Sequence, residues 1–94
     1  MESVFEKISR AIVEGRVTFT DHADDRLAER HIEAWQVVDG FDSAKLIEVD
    51  PKAKPNPKVV TRQALADGTP VIAVWAFVKS IDSATLITVY YPDE

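Results

Sequence analysis

Cysteine is absent from the chain, which excludes disulfides, thiolate nucleophiles and cysteine-held zinc in one step. Glycine is scarce, and the three that occur, at positions 15, 40 and 68, are too scattered for a phosphate-cradling loop. No long hydrophobic run is present. The longest, Val71 to Val78, is far short of the roughly 20 residues of a membrane helix, so no membrane association is expected. The opening stretch MESVFEKISRAIVEG has no apolar signal core, and a cytoplasmic location is expected. An excess of positive charge is also lacking. With 11 basic and 16 acidic side chains the net charge is −5, which counts against generic binding to nucleic acid.

What remains describes one globular domain, residues 1–94, with 46% apolar and 29% charged residues. Its charge is uneven. Residues 1–44 hold five basic and ten acidic side chains, whereas residues 45–62 hold five basic (Lys45, Lys52, Lys54, Lys58, Arg62) and two acidic. A partner of either sign is therefore compatible with the composition.

Helix signals come first. Ser3 with Glu6 forms a capping box, Val4, Phe5, Ile8, Ala11 and Ile12 form one apolar stripe, and Gly15 is the stop. RVTF (16–19) is read as an edge strand or an extended link. Thr20 or Asp21 caps a second helix in which Ala23, Leu27 and Ala28 face the core. A third helix is expected over 33–39, with Trp35 and Val38 packing inward and Gly40 ending it.

Beyond Lys45 the period becomes that of strands. LIEV (46–49) alternates, DPKAKPNP is a stiff extended loop, and KVVTRQAL and VIAVWAFV flank a turn at Asp67-Gly68. A further turn leads to TLITVYY (85–91). These elements predict an α+β fold, N-terminal helices packed on a three- to four-stranded antiparallel sheet. VIAVWAFV is apolar at every position, as a strand covered on both faces would be. One helical layer covers one face. The other calls for a second chain, as a homodimer through the sheet or a partner protein, or for small residues such as Ala73 and Ala76 that tolerate exposure.

FTDHADDRLAERHI, followed by KPNPKVV, the DG turn and TVYYP, resembles a bacterial family known as domain of unknown function 4258. The shared features are His-Ala, two arginines at the spacing of Arg26 and Arg30, an isoleucine like Ile32, a proline-containing loop and a closing Val-Tyr-x-Pro (Val89 to Pro92). Leu27 stands where methionine is common and His31 where glycine is common. The resemblance implies a fold similar to the small toxins of the RelE and ParE type. That wider group includes messenger-RNA-cleaving toxins, gyrase-poisoning toxins and many proteins of no known activity.

Helical spacing places His22, Arg26 and Arg30 near one another. Cleavage of RNA needs a 2′-hydroxyl activated, a phosphorane stabilised and a leaving oxygen protonated. Histidine serves the proton transfers and arginine the charge. The expected catalytic set is His22, Arg26, Arg30 and Tyr90, with Tyr91 as the alternative tyrosine, and Arg62, Lys54 and Lys58 are expected to hold nucleic acid. The structural reading of the same residues is that Arg26 and Arg30 are spent in ion pairs with Asp25, Glu29 and Glu33. A metal at Asp21, His22, Asp25 and Glu29 is disfavoured by the two arginines, and no metal or cofactor is expected. Two functions follow: an RNA-cleaving or RNA-binding toxin, with RNA or the ribosome as target and a cognate antitoxin as partner, or a non-catalytic protein-interaction module of the same fold.

Overall fold

The first helix, α1 (Val4–Val13), starts where its capping box predicts. The Glu6 amide donates to Ser3 Oγ at 3.1 Å and the Ser3 amide to Glu6 Oε1 at 3.0 Å, satisfying two otherwise orphaned donors. Gly15 ends it at φ +78, where its own amide donates to the Ile12 carbonyl and the Arg16 amide to the Ala11 carbonyl. The computed structural model describes residues 2–94.

Strand β1 (Val17–Phe19) leads into α2 (Asp21–Glu29), whose cap is Thr20: its Oγ1 accepts the Ala23 amide at 3.0 Å. Arg30 and His31 close α2 in a Schellman turn, with the His31 amide on the Ala28 carbonyl and the Ile32 amide on Leu27. His31 takes the left-handed position at φ +55, which explains why glycine suits this site. Helix α3 (Ala34–Asp39) runs into a 3₁₀ turn (Gly40–Ser43), so Gly40 relays the chain instead of ending it. Its packing also differs from the expectation. Val37 is fully buried and Val38 partly, whereas Trp35 is 54% exposed, because a helix of less than two turns gives the core one narrow stripe. Ala28 is likewise exposed.

The strands β2 (Lys45–Asp50), β3 (Lys58–Ala64), β4 (Pro70–Val78) and β5 (Ser83–Tyr90) form an antiparallel meander. The class is α+β, but the sheet has five strands and is mixed, in the order β1-β5-β4-β3-β2. The fifth strand is RVTF's β1, which pairs in parallel with β5 through Val17, Thr18 and Phe19 opposite Ala84, Thr85 and Leu86. Three residues suffice because Thr18 and Thr85 also join their hydroxyls at 2.6 Å. Among the described residues, no helix is long and apolar enough to cross a membrane.

All three helices contribute to a single core with one face of the sheet. Ile8, Ala11, Ala23, Leu27 and Val37 meet Val59, Val71, Ala73, Trp75, Phe77, Ala84, Leu86 and Val89. Trp75 is fully buried and takes Phe41 edge-on, ring centroids 5.8 Å apart. A polar knot sits inside this apolar layer. Gln63 Oε1 accepts from Trp75 Nε1 and from Thr61 Oγ1, each at 2.9 Å, and Gln63 Nε2 donates to the Val37 carbonyl at 2.8 Å. The knot ties the end of α3 to the sheet, and among the described residues no buried side-chain polar atom is unpartnered.

The second face of the sheet carries no helix. By strand alternation it presents Lys58, Val60 and Arg62, opposite Ala76, Val74 and Ile72, and beyond them Thr85, Thr88 and Tyr90. The chain supplies part of its own cover here: Lys54, Pro55 and Asn56 line one small cavity with Lys58, Ala76 and Ile87, so the proline loop folds over this face. The Phe77 amide holds that loop by donating to the Pro57 carbonyl at 3.0 Å. Ala76, beside this loop, is 3% exposed, and Ile72, between Arg62 and Tyr90 at the other end of the strand, is 7% exposed.

Candidate functional site

Helix α2 runs alongside the second half of β5. Its cap Thr20 donates to the Ile87 carbonyl at 3.1 Å, and its far end meets Tyr91, whose hydroxyl donates to the Arg30 carbonyl at 3.3 Å. Ala23 and Leu27 bury one side of the helix, which turns His22, Arg26 and Glu29 outward. His22 is exposed in the first turn, and its Nε2 accepts from Arg26 Nε at 3.4 Å.

Both arginines on this helix are occupied. Arg26 Nη1 donates to Glu29 Oε2 at 2.8 Å. Arg30 holds Glu94 through both Nε, at 2.8 Å, and Nη2, and also approaches Glu29 at 3.4 Å. Glu94 additionally accepts the Tyr91 amide at 2.6 Å. The Arg30 hydrogen bond, supported by that amide, pulls the Glu94 carboxyl down to about 2, and the Glu94 carboxylate in turn raises the Arg30 guanidinium above its ordinary value. The pairings are with Glu29 and Glu94. Asp25 and Glu33, named with Glu29 as expected acceptors, take no part in them.

The expected catalytic set is therefore divided. His22 and Arg26 lie on α2 and Arg30 caps its end, and the tyrosine that reaches this end, at the Arg30 carbonyl, is Tyr91. Tyr90 points to the helix-free face, because its neighbour Val89 is in the core and successive strand residues alternate.

Arg62 lies on the same helix-free face as Tyr90. One row crosses four strands there: Lys45 on β2 opposite Arg62 on β3, Arg62 opposite Ile72 on β4, and Ile72 opposite Tyr90 on β5. Lys58 stands two rows away, and Lys54 in the proline loop lines a cavity with it. Among the described residues Arg62 is the one arginine with no carboxylate partner; Arg10, Arg16, Arg26 and Arg30 are each paired. It is exposed and lines a 480 Å³ cavity with Thr69, Pro70, Tyr91, Pro92 and Asp93. This surface can place a guanidinium and ammonium groups against phosphate or carboxylate, beside a tyrosine ring.

The model of one protein family, the domain of unknown function DUF4258, matches residues 19–91. The chain belongs to the DUF4258 family. No curated protein and no solved structure matches it. The matched segment of this DUF4258 domain begins at Phe19, the last residue of β1, and ends at Tyr91, so it includes His22, Arg26 and Arg30 and the row on the open face, while α1 and Glu94 lie outside it.

Two residues of these groups were invisible to motif reasoning. Glu94, the partner of Arg30, is 64 positions away and carries no local signal. Lys45 joins Arg62 only through strand register, although the cationic bias of residues 45–62 already pointed to that stretch.

Proposed function

We propose that this domain is a non-catalytic RNA-binding module with a RelE/ParE-type toxin fold, which takes a single strand of RNA on the helix-free face of its sheet. The observation that carries this reading is the row of Lys45, Arg62, Ile72 and Tyr90, in which the one unpaired arginine shares a face with a tyrosine ring. Arg62, Lys58 and Lys54 neutralise phosphates, and Tyr90 gives a base a stacking platform. Catalysis is the weaker reading of the same fold. A phosphorane needs free positive charge, and Arg26 and Arg30 already carry Glu29 and Glu94.

The test is fluorescence anisotropy with a labelled single-stranded RNA, read at several salt concentrations and followed by electrophoresis of the same RNA. Binding is expected to weaken with salt, and Arg62→Ala should reduce the log–log slope by about 0.7, the share of one phosphate contact. The RNA should stay intact with the parent protein and with His22→Ala alike. No binding at low salt, or a slope unchanged in Arg62→Ala, would overturn RNA binding. Cleavage that disappears in His22→Ala would restore the nuclease reading.

The second reading, a protein-interaction module, is favoured by a different observation: every residue of β2 is exposed, with Leu46, Ile47 and Val49 among them. If protein interaction stands in place of RNA binding, the RNA assay stays blank.

A further inference from the structure

Strand β2 is the outer edge of the sheet, with charged residues and a bulge along it but no helix, loop or strand covering its free side among the described residues. It pairs only with β3, contains no proline, and exposes all six residues. Leu46, Ile47 and Val49 are 47%, 55% and 46% exposed, three large apolar side chains in a run of four. The opposite edge is guarded: β1 is three residues long, and α2 runs past the rest of β5.

A second observation concerns charge. Lys45 stands directly opposite Arg62 on the neighbouring strand, and neither has a carboxylate partner among the described residues. Like charges facing each other across two strands are unfavourable, and a carboxylate beside them would relieve the pair. Asp50, at the other end of the same strand, is a carboxylate without a salt-bridge partner.

We propose that β2 pairs antiparallel with β2 of a second copy of this chain, about a two-fold axis between Ile47 and Glu48. The strand reads KLIEVD, and the axis sets Lys45 across from the partner's Asp50, Leu46 across from the partner's Val49, and the same two contacts again in reverse. The faces agree. A register shift between Leu46 and Glu48 puts Lys45 opposite Arg62, Glu48 opposite Val60 and Asp50 opposite Lys58, all on the helix-free face, while Leu46 and Val49 lie opposite Thr61 and Val59 on the helix side. In a regular strand residues 45 and 50 would point to opposite faces, so this extra residue is what makes the pairing self-consistent. The dimer gains main-chain hydrogen bonds along the edge, brings Leu46 and Val49 of the two copies together with Ile47 across from the partner's Glu48, and sets a carboxylate at each Lys45. It draws Lys45 of the proposed RNA-binding row into the interface, while Arg62 and Tyr90 remain on the open face of a continuous ten-stranded sheet.

The experiment is analytical ultracentrifugation of the full chain from roughly 1 μM to 1 mM, with the 10.5 kDa monomer and a particle of twice that mass as the two states. Lys45→Asp and Asp50→Lys each replace two attractive contacts by two repulsive ones and should weaken the dimer about tenfold. The double variant Lys45→Asp/Asp50→Lys restores both contacts with the charges exchanged and should return dimerisation to near the parent level. Circular dichroism checks that each variant remains folded, as expected for exposed edge positions. A monomer throughout the range overturns the proposal, as does a dimer indifferent to the single substitutions or a double variant that fails to recover.

Discussion

Arg30 closes α2 by holding the carboxylate of Glu94, 64 residues further along the chain, while Glu94 also receives the amide of Tyr91. One carboxylate thus joins the end of a helix to the end of the last strand. Its contribution to stability depends on pH. The folded-state value, about 2, lies below the ordinary 4.5, so the stabilisation is fully present above about 4.5 and is lost as pH falls from there towards 2. Thermal melts from pH 7 to pH 2 should show this loss, and Glu94→Gln should flatten the curve in that window. Both groups are near solvent, so the effect should also shrink in high salt.

His31 spends backbone energy at φ +55, where a side chain is disfavoured. His31→Gly is expected to stabilise the protein by about 1 kcal/mol in urea unfolding, less what the more flexible unfolded chain takes back. A lower midpoint would show that the imidazole makes a compensating contact.

Gln63 is 2% exposed and serves three partners, the Trp75 indole, the Thr61 hydroxyl and the Val37 carbonyl. Gln63→Ala leaves the Trp75 donor and the Val37 acceptor buried without partners and opens a cavity, and should cost about 3 kcal/mol. Loss of no more than about 1 kcal/mol would mean that water enters and replaces the amide.

Tyr90 and Tyr91 are neighbours with separate tasks. Tyr91 packs on the core and reaches Arg30, so Tyr91→Ala should lower the melting temperature. Tyr90→Ala should leave stability nearly unchanged and weaken RNA binding at least about fivefold, as expected for a lost stacking surface worth about 1–3 kcal/mol. Equal effects of the two substitutions on binding would remove Tyr90 from the site.

Features set by neighbours in the chain were readable without coordinates. The Ser3–Glu6 box, the Thr20 cap and the Gly15 stop depend on contacts within a few residues, and each occurs where its pattern lies; the central strand was legible from its unbroken apolar run. The spacing of His22, Arg26 and Arg30 on α2 was legible for the same reason. Gln63 gave a faint signal, a polar residue continuing the buried alternation of Val59 and Thr61, but nothing local could show that its amide would meet Trp75 and Val37.

The sequence by itself determined the helices, the strands that form the meander, the α+β class and the family to which the chain belongs. Only the tertiary structure decided the rest. It paired three residues of β1 with β5, chose Val37 over Trp35 for the core, turned Tyr90 towards Arg62 and Tyr91 towards Arg30, and brought Glu94 to the end of α2. The physical reason is that local patterns obey the periods of helix and strand, whereas strand register and ion pairing are set by residues up to 67 positions apart whose separation in space no pattern records.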